Sequence, residues 1–413
     1  MNASETGPIL LAPTQAAQRC MILDSLRGFA LLGIALANFP ELSLYTFLPA
    51  EAAQALPASG GDTVLRQLLH ILVEGKFYTI FSLLFGIGFS IILNNVTKRG
   101  GNATRLFLRR MGLLSLIGLL HLLFLWSGDI LLLYALMGML LPFCRHLSDK
   151  QLLLGACVLL LLPVAIDTAR SITGLDLSAP FVALQQQLCE RYGITEANFA
   201  YWLHDAHDYG SVFQFLLQGA MVRMQEFIDG NRYFKVLGLF LLGFIIGRHQ
   251  LYAKLSQHLH SLRLILIWGA TIGLTFSILQ AWQPWGDHPG ALSLRSLCYV
   301  LGVYPLAFSY VAALCLLCVR KPEQPLLRWL AAPGRMALSN YLGQSALGIL
   351  IYYGIAGGLG SRVSLLNTEL IAILVFTGQL IVSHFWLRYF RYGPLEWIWR
   401  MLTYGRRFPI RQP

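Results

Sequence analysis

Leu23-Asp24-Ser25-Leu26-Arg27-Gly28-Phe29-Ala30-Leu31-Leu32-Gly33-Ile34-Ala35-Leu36-Ala37-Asn38 is the stretch that decides the fold. Asp24 and Arg27 stand at i, i+3, so on a helix their charges share one face. From Gly28 to Asn38 there is no charge, and the run ends on a lone amide. A helix with this pattern belongs in a membrane, where an acid, a base and an amide must find partners inside a bundle. An ordinary ion pair at the membrane surface accounts for Asp24 and Arg27 equally well.

The whole chain agrees with this reading. Of its 413 residues 56% are hydrophobic and 12% charged, with a mean hydropathy of +0.59. A soluble domain carries roughly a quarter charged residues. The expectation is an all-α polytopic membrane protein, a single transmembrane domain over 1–413. The net charge of +11 reads as Lys and Arg collected in cytoplasmic loops rather than as a nucleic-acid surface. The seven Cys are scattered. Cys315 and Cys318 form a CxxC inside an apolar segment, where they read as small apolar residues, and no disulfide framework is implied. The neutral-to-acidic start, Met1 to Ala17, predicts no cleavable signal peptide.

A span needs about 20 mostly apolar residues. About ten candidates fit: 25–46, 76–96, 109–127, 129–146, 150–170, 233–249, 263–282, 291–319, 336–357 and 367–388. Basic residues mark alternate loops: Lys98, Arg99, Arg105, Arg109 and Arg110; Arg145 and Lys150; Arg248, Lys254 and Arg263; Arg320, Lys321 and Arg328; and Arg388 to Arg411 in the tail. All fall on one side if the N-terminus and C-terminus are cytoplasmic. The segment 211–225 contains Arg223 and three glutamines and reads as an amphipathic or re-entrant helix within an outer-face insertion over 171–232. His204, His207 and Asp208 in that insertion share a helical face, a weak zinc signal beside the simpler reading of a solvated polar cap.

With no phosphate loop, nucleophile elbow or His-Glu-x-x-His motif, the chemistry is sought among polar residues at membrane depth. Lys76 opens the second span beside Glu74 and Tyr78; it snorkels to the surface or points into a cavity to fix an anion. His121 lies in the third span, with Asp129 just beyond its end. An intramembrane histidine is a functional hypothesis, against the plainer role of packing against a neighbouring helix. Asn340, Gln344 and Ser345 form a polar face on the ninth span that interhelical bonding alone would explain. Ser383 and His384 lie near the inner end of the tenth. Asn38, Lys76, His121 and Asp129 then fall in the outer half, and Asp24, Arg27, Arg335, Asn340 and His384 in the inner half near Arg105, Arg109 and Arg110. Two small molecules meeting near the midplane fit this layout, as does a carrier with a central site.

The segments LDSLRGFALLGIALAN (23–38), EGKFYTIFSLLFGIGFS (74–90), HLLFLWSGDILLLYALMG (121–138), GRMALSNYLGQS (334–345) and RYGPLEWIWRMLTYG (391–405) together resemble the YeiB family of bacterial inner-membrane proteins. In that family the C-terminal half, here 232–413, is catalogued as domain of unknown function 418. More distantly the chain is similar to transmembrane acyltransferases, both the acyltransferase type 3 proteins and the lysosomal heparan glucosaminide acetyltransferase. That resemblance implies transfer of an acyl group from a cytoplasmic thioester such as acyl-CoA to an envelope hydroxyl or amine, with Asp24 and Arg27 matching the shared motif of the first span. In acyltransferase type 3 proteins the position fourteen residues after the motif aspartate is a histidine; here it is Asn38, and an amide is no general base. The transferase reading therefore gives catalysis to His121 with Asp129. Substrate falls to Asn38, Lys76, Tyr78, Asn340, Gln344 and Ser345, and the donor to Asp24, Arg27, Arg105, Arg109, Arg110, Arg335 and His384. No bound cofactor or metal is expected; the lipid bilayer and a small-molecule or envelope-glycan substrate are the expected partners. The alternatives are a carrier for a small amphipathic molecule and a non-catalytic scaffold.

Overall fold

The computed structural model describes residues 20–282 and 290–412. Among them there are helices, short 3-10 turns and one isolated bridge between Phe390 and Arg411, and no strand. The protein is an all-α polytopic membrane protein. Seven helical segments are long and apolar enough to cross a bilayer: 21–42, 59–98, 103–124, 149–173, 255–282, 291–320 and 365–389. Helices satisfy every backbone group internally, which is what lets such runs stand in hydrocarbon.

In chain order the helices are α1 (Met21–Leu42), α2 (Ala50–Gln54), α3 (Asp62–Leu72), α4 (Lys76–Lys98), α5 (Ala103–Phe124), α6 (Leu131–Gly138), α7 (Asp149–Thr173), α8 (Ala179–Tyr192), α9 (Glu196–Phe199), α10 (Tyr209–Asp229), α11 (Arg232–Arg248), α12 (Leu259–Trp282), α13 (Ala291–Arg320), α14 (Pro325–Arg335), α15 (Ala337–Tyr352), α16 (Leu365–Tyr389) and α17 (Pro394–Tyr404). Each of the ten expected spans contains a helix. The count of full-length crossings differs from ten because α6, α11 and α15 are shorter than a bilayer requires. α10 and α11 meet at a bend of 63° and together make at most one more crossing. The segment 211–225 lies inside α10, whose Phe215, Leu216, Ala220 and Arg223 are buried against neighbouring helices.

α1 stands at the centre and α12 at the edge: 67% of the apolar window of α1 is buried in protein, against 17% for segment 255–282. α1 packs along α14, α16, α4 and α15. Its crossing with α14 is a backbone-to-backbone contact. A Cβ placed on Gly28 would sit 1.8 Å from the Leu330 carbonyl oxygen, and one on Gly334 would sit 1.9 Å from the Asp24 carbonyl oxygen. Small residues permit this approach, and dispersion between the backbones holds it. Ser25 seals the contact by donating to the Leu327 carbonyl at 2.7 Å. Arg27 on α1 and Arg400 on α17 line one cavity, so both described ends of the chain lie at the same end of the bundle.

Polar residues fix helix ends at a distance as well as locally. Asp208 caps α10 by accepting from the Ser211 amide at 3.0 Å, and these bonds hold its carboxyl below the usual range. Asp62 accepts from the amides of Leu365 and Leu366, capping α16 from across the fold. Near the other end of the bundle Glu396 accepts from the amides of Leu338 and Ser339 at the start of α15. Burial pushes the Glu396 carboxyl up, against the pull of its Ser339 bonds.

Replacing Gly28 by Val is expected to cost about 1–3 kcal/mol through overpacking against α14. A lowered melting temperature of the purified protein in detergent checks this; an unchanged one would show that α1 and α14 separate without loss.

Candidate functional site

His121 ends a long apolar helix, α5, and the chain then turns back through Gly128 and Asp129 into α6. The turn brings the Asp129 carboxylate to the imidazole: Oδ1 lies 2.9 Å from His121 Nδ1, and Oδ2 accepts the Leu132 amide at 2.7 Å. The other ring nitrogen, Nε2, lies 2.9 Å from Ser345 Oγ on α15. The chain of donors closes if Ser345 gives its hydroxyl proton to Nε2 and the neutral ring donates from Nδ1 to Asp129. All three residues are at most 2% exposed. Tyr341 covers the ring at 5.2 Å between centroids, and its hydroxyl reaches the Gly128 carbonyl at 3.4 Å.

Two cavities flank this turn. The first, of about 270 Å³, is lined by Arg27, Arg110, Arg335, Glu396 and Arg400 together with Phe81, Leu84, Phe107, Met111 and other apolar side chains. Arg110 stacks on Trp399 with its guanidinium 3.6 Å from the ring centroid, which fixes a cation on the cavity wall. The second cavity, of about 470 Å³, opens at the opposite end of the bundle and has walls of both signs: Lys76, Arg223, Arg232 and Lys235 against Glu41, Glu74, Asp129 and Glu226, with Asn38 and Tyr78 among them. Ile34, Ile130 and Tyr341 line both, so they form a partition one side chain thick.

The sequence reading placed these groups unevenly. Asn38, Lys76, Tyr78 and Asp129 do share the mixed-charge cavity, and Arg27, Arg110 and Arg335 share the basic one. His121 lines neither: the imidazole expected to meet substrate is absent from both walls, while Asp129, the residue expected to orient it, is among those that line the mixed-charge cavity. Asn340 and Gln344 also face away. Asn340 donates to Ser383 Oγ at 3.0 Å and Gln344 to Gln379 Oε1 at 3.0 Å, so these two join α15 to α16 and line neither cavity. Ser345 is taken by His121. Asp24 is buried and serves Arg27 as an ion-pair partner at 2.7 Å. Arg105 and Arg109 are exposed on α5, and His384 stacks on Trp329 at the bundle surface, so none of the three reaches the basic cavity. In the insertion, Asp208 is occupied as the cap of α10, and among the described residues no three His, Cys, Asp or Glu side chains converge on a metal position.

Several cavity residues were not singled out from the sequence. Tyr341 sits inside a quoted segment but carries no charge to draw notice. Lys235 falls in the first turn of an apolar run and is absorbed by it, and Arg400 is one of many arginines in the tail. Arg223 is the most connected of them. It donates to the Ser127 carbonyl at 2.8 Å, contacts Glu41 at 3.4 Å and pairs with Glu226.

Fold and site together define an all-α polytopic membrane protein with a basic cavity at one end, a mixed-charge cavity at the other and a thin partition between them. The model for a protein family of unknown function, DUF418, matches residues 246–406. The YeiB protein of Escherichia coli (strain K12) is 31% identical over 94% of this chain and 96% of its own length. YxaH of Bacillus subtilis (strain 168) is 30% identical over 97% and 98%. A 39.9 kDa protein from the amylase 3' region of Bacillus acidopullulyticus is 33% identical over 96% and 97%. The chain belongs to this YeiB/DUF418 family.

Substituting His121 by Ala removes a partner from both Asp129 and Ser345 and should lower stability by about 2–4 kcal/mol. Asp129→Asn keeps an acceptor for the Leu132 amide and should cost less. Thermal unfolding of the two purified variants checks the order.

Proposed function

We propose that the protein transfers an acyl group through the partition, from a cytoplasmic thioester donor in the basic cavity to a hydroxyl or amine acceptor in the mixed-charge cavity. In this reading the bundle end rich in Lys and Arg faces the cytoplasm, as the positive-inside rule favours, with both chain ends inside, and we assign the protein to the bacterial inner membrane. One observation carries the reading: two cavities of different chemistry back onto the same three side chains, Ile34, Ile130 and Tyr341. An apolar pocket with cations on its wall suits an acyl-thioester arm whose phosphates rest on Arg27, Arg110, Arg335 and Arg400. A polar chamber suits an acceptor.

In this scheme the Asp129 carboxylate takes the proton of the acceptor hydroxyl or amine as the new bond to the acyl carbon forms. The carbon–sulfur bond breaks, and the thiolate leaves into the basic cavity on an arm whose phosphates the arginines still hold. Asn38, on the wall of the acceptor chamber, supplies an amide donor to the developing oxyanion. His121 and Ser345 act through Asp129: a neutral imidazole donating to Oδ1 fixes the carboxylate without neutralising it. The arrangement inverts the familiar serine–histidine–aspartate order, in which the serine meets substrate.

A carrier for a small amphipathic anion is the second reading. It is favoured by the partition itself, since two isoleucines and a tyrosine can part without breaking an ion pair.

Incubating the purified protein with labelled acetyl-CoA and envelope extract separates the two. Transfer predicts label in an envelope product, a rate lowered about 10²–10⁴-fold by Asp129→Asn, and donor binding at least about tenfold weaker in Arg110→Ala. Label that crosses a proteoliposome membrane without entering any product would establish the carrier, and turnover unchanged in Asp129→Asn would remove that carboxylate from the mechanism.

A further inference from the structure

The mixed-charge cavity is lined by two lysines that make no ion pair with its own carboxylates. Lys76 opens α4 and is 1% exposed; Lys235 lies in the first turn of α11 and is 8% exposed; both line the cavity. Among the described residues neither makes an ion pair. Lys76 Nζ donates to the His70 carbonyl at 2.9 Å, and Lys235 Nζ lies over the Tyr299 ring, 3.8 Å from its centroid. The four carboxylates on the same walls are already engaged. Glu41 contacts Arg223, Glu226 pairs with Arg223 and Arg232, Glu74 bonds His70 at 2.8 Å, and Asp129 is held by His121 and the Leu132 amide.

Glu74 lends Lys76 a favourable charge and Asp167 does the same for Lys235, but neither carboxylate closes to an ion pair. A buried cation short of a directly bonded counter-charge is costly in a membrane protein, and such groups mark ligand paths. The two lysines come from helices that reach the cavity at their N-termini, where the macrodipole adds positive potential. Arg232, at the start of α11, adds a guanidinium on the same wall. Tyr78 and Tyr299, joined hydroxyl to hydroxyl, hold the aromatic face that steadies Lys235.

We propose that the unpaired Lys76 and Lys235 ammonium groups facing the mixed-charge cavity bind the phosphate group of a phosphate ester. This deepens the acceptor reading given above by assigning the acceptor a phosphate beside its reacting hydroxyl or amine. Two cations on separate helices match a group with up to two negative charges and three acceptor oxygens. The phosphate belongs either to a lipid headgroup entering from the bilayer or to a soluble ester entering from the aqueous side. Binding is read without acyl transfer, so a failure of the transferase reading leaves this site standing, and the converse also holds.

The test is thermal unfolding of the full-length protein in detergent, titrated with inorganic phosphate, with glycerol 3-phosphate or with a short-chain phosphatidic acid, against chloride at equal ionic strength. Stabilisation by one or more phosphates above the chloride control is expected. Stabilisation by phosphatidic acid alone assigns the site to a headgroup, and stabilisation by glycerol 3-phosphate or inorganic phosphate assigns it to a soluble ester. Lys235→Gln should weaken the response at least about tenfold while raising the melting temperature of the anion-free protein, because it removes an unpaired charge; Lys235→Arg should retain the response. No shift with any phosphate on the wild-type protein overturns the proposal, as does a response of equal midpoint in Lys235→Gln and Lys76→Gln. The wild-type titration decides the matter even where a variant fails to fold.

Discussion

The Asp129 carboxylate, clamped between the His121 imidazole and the Leu132 amide, is the contact on which the architecture turns. It lets the chain leave α5, reverse within a few residues and enter α6 without exposing a charge to hydrocarbon. Through Ser345 the same cluster docks α15, and with α15 comes Tyr341, the side chain that separates the two cavities. An ionisable group this deep is tolerable because each of its oxygens has a donor. Remove the clamp, and the turn, the docking of α15 and the partition all lose their reason to sit where they do.

The sequence made some of this legible. His121 and Asp129 lie eight residues apart, on either side of an apolar helix end, so their pairing could be inferred from local spacing. Their orientation toward the cavity could not. Which member faces inward depends on how α15 closes over the turn, and Ser345 is 224 residues away. The fold class was written in the composition, because apolar runs near bilayer length permit few structures. The number of full crossings was not: α6 and α15 are apolar yet only 8 and 16 residues long, and hydropathy does not tell where a helix stops inside an apolar run. The polar stripe of Asn340 and Gln344 illustrates the same blindness. A buried amide that joins two helices and one that faces a ligand have identical spacing; here Ser383 and Gln379 on α16 decide between them.

The two cavities differ in how their charge is arranged. At the basic end the cations share one cavity with apolar side chains, one of them stacked on Trp399. At the other end acids and bases intermix along the walls, and most are paired. Gathered charge attracts from a distance and concentrates an anion at an entrance. Intermixed, paired charge projects little field and discriminates at contact. The chain thus spends its charge on capture at one end and on selection at the other.

Arg223 ties the mixed-charge chamber to the turn beside the partition. It grips the Ser127 carbonyl while contacting Glu41 on α1 and Glu226 on its own helix, and the very next residue, Gly128, offers its carbonyl to Tyr341. α10 is therefore geared to the septum. The charged vestibule and the turn that carries the barrier are thus held by one and the same guanidinium.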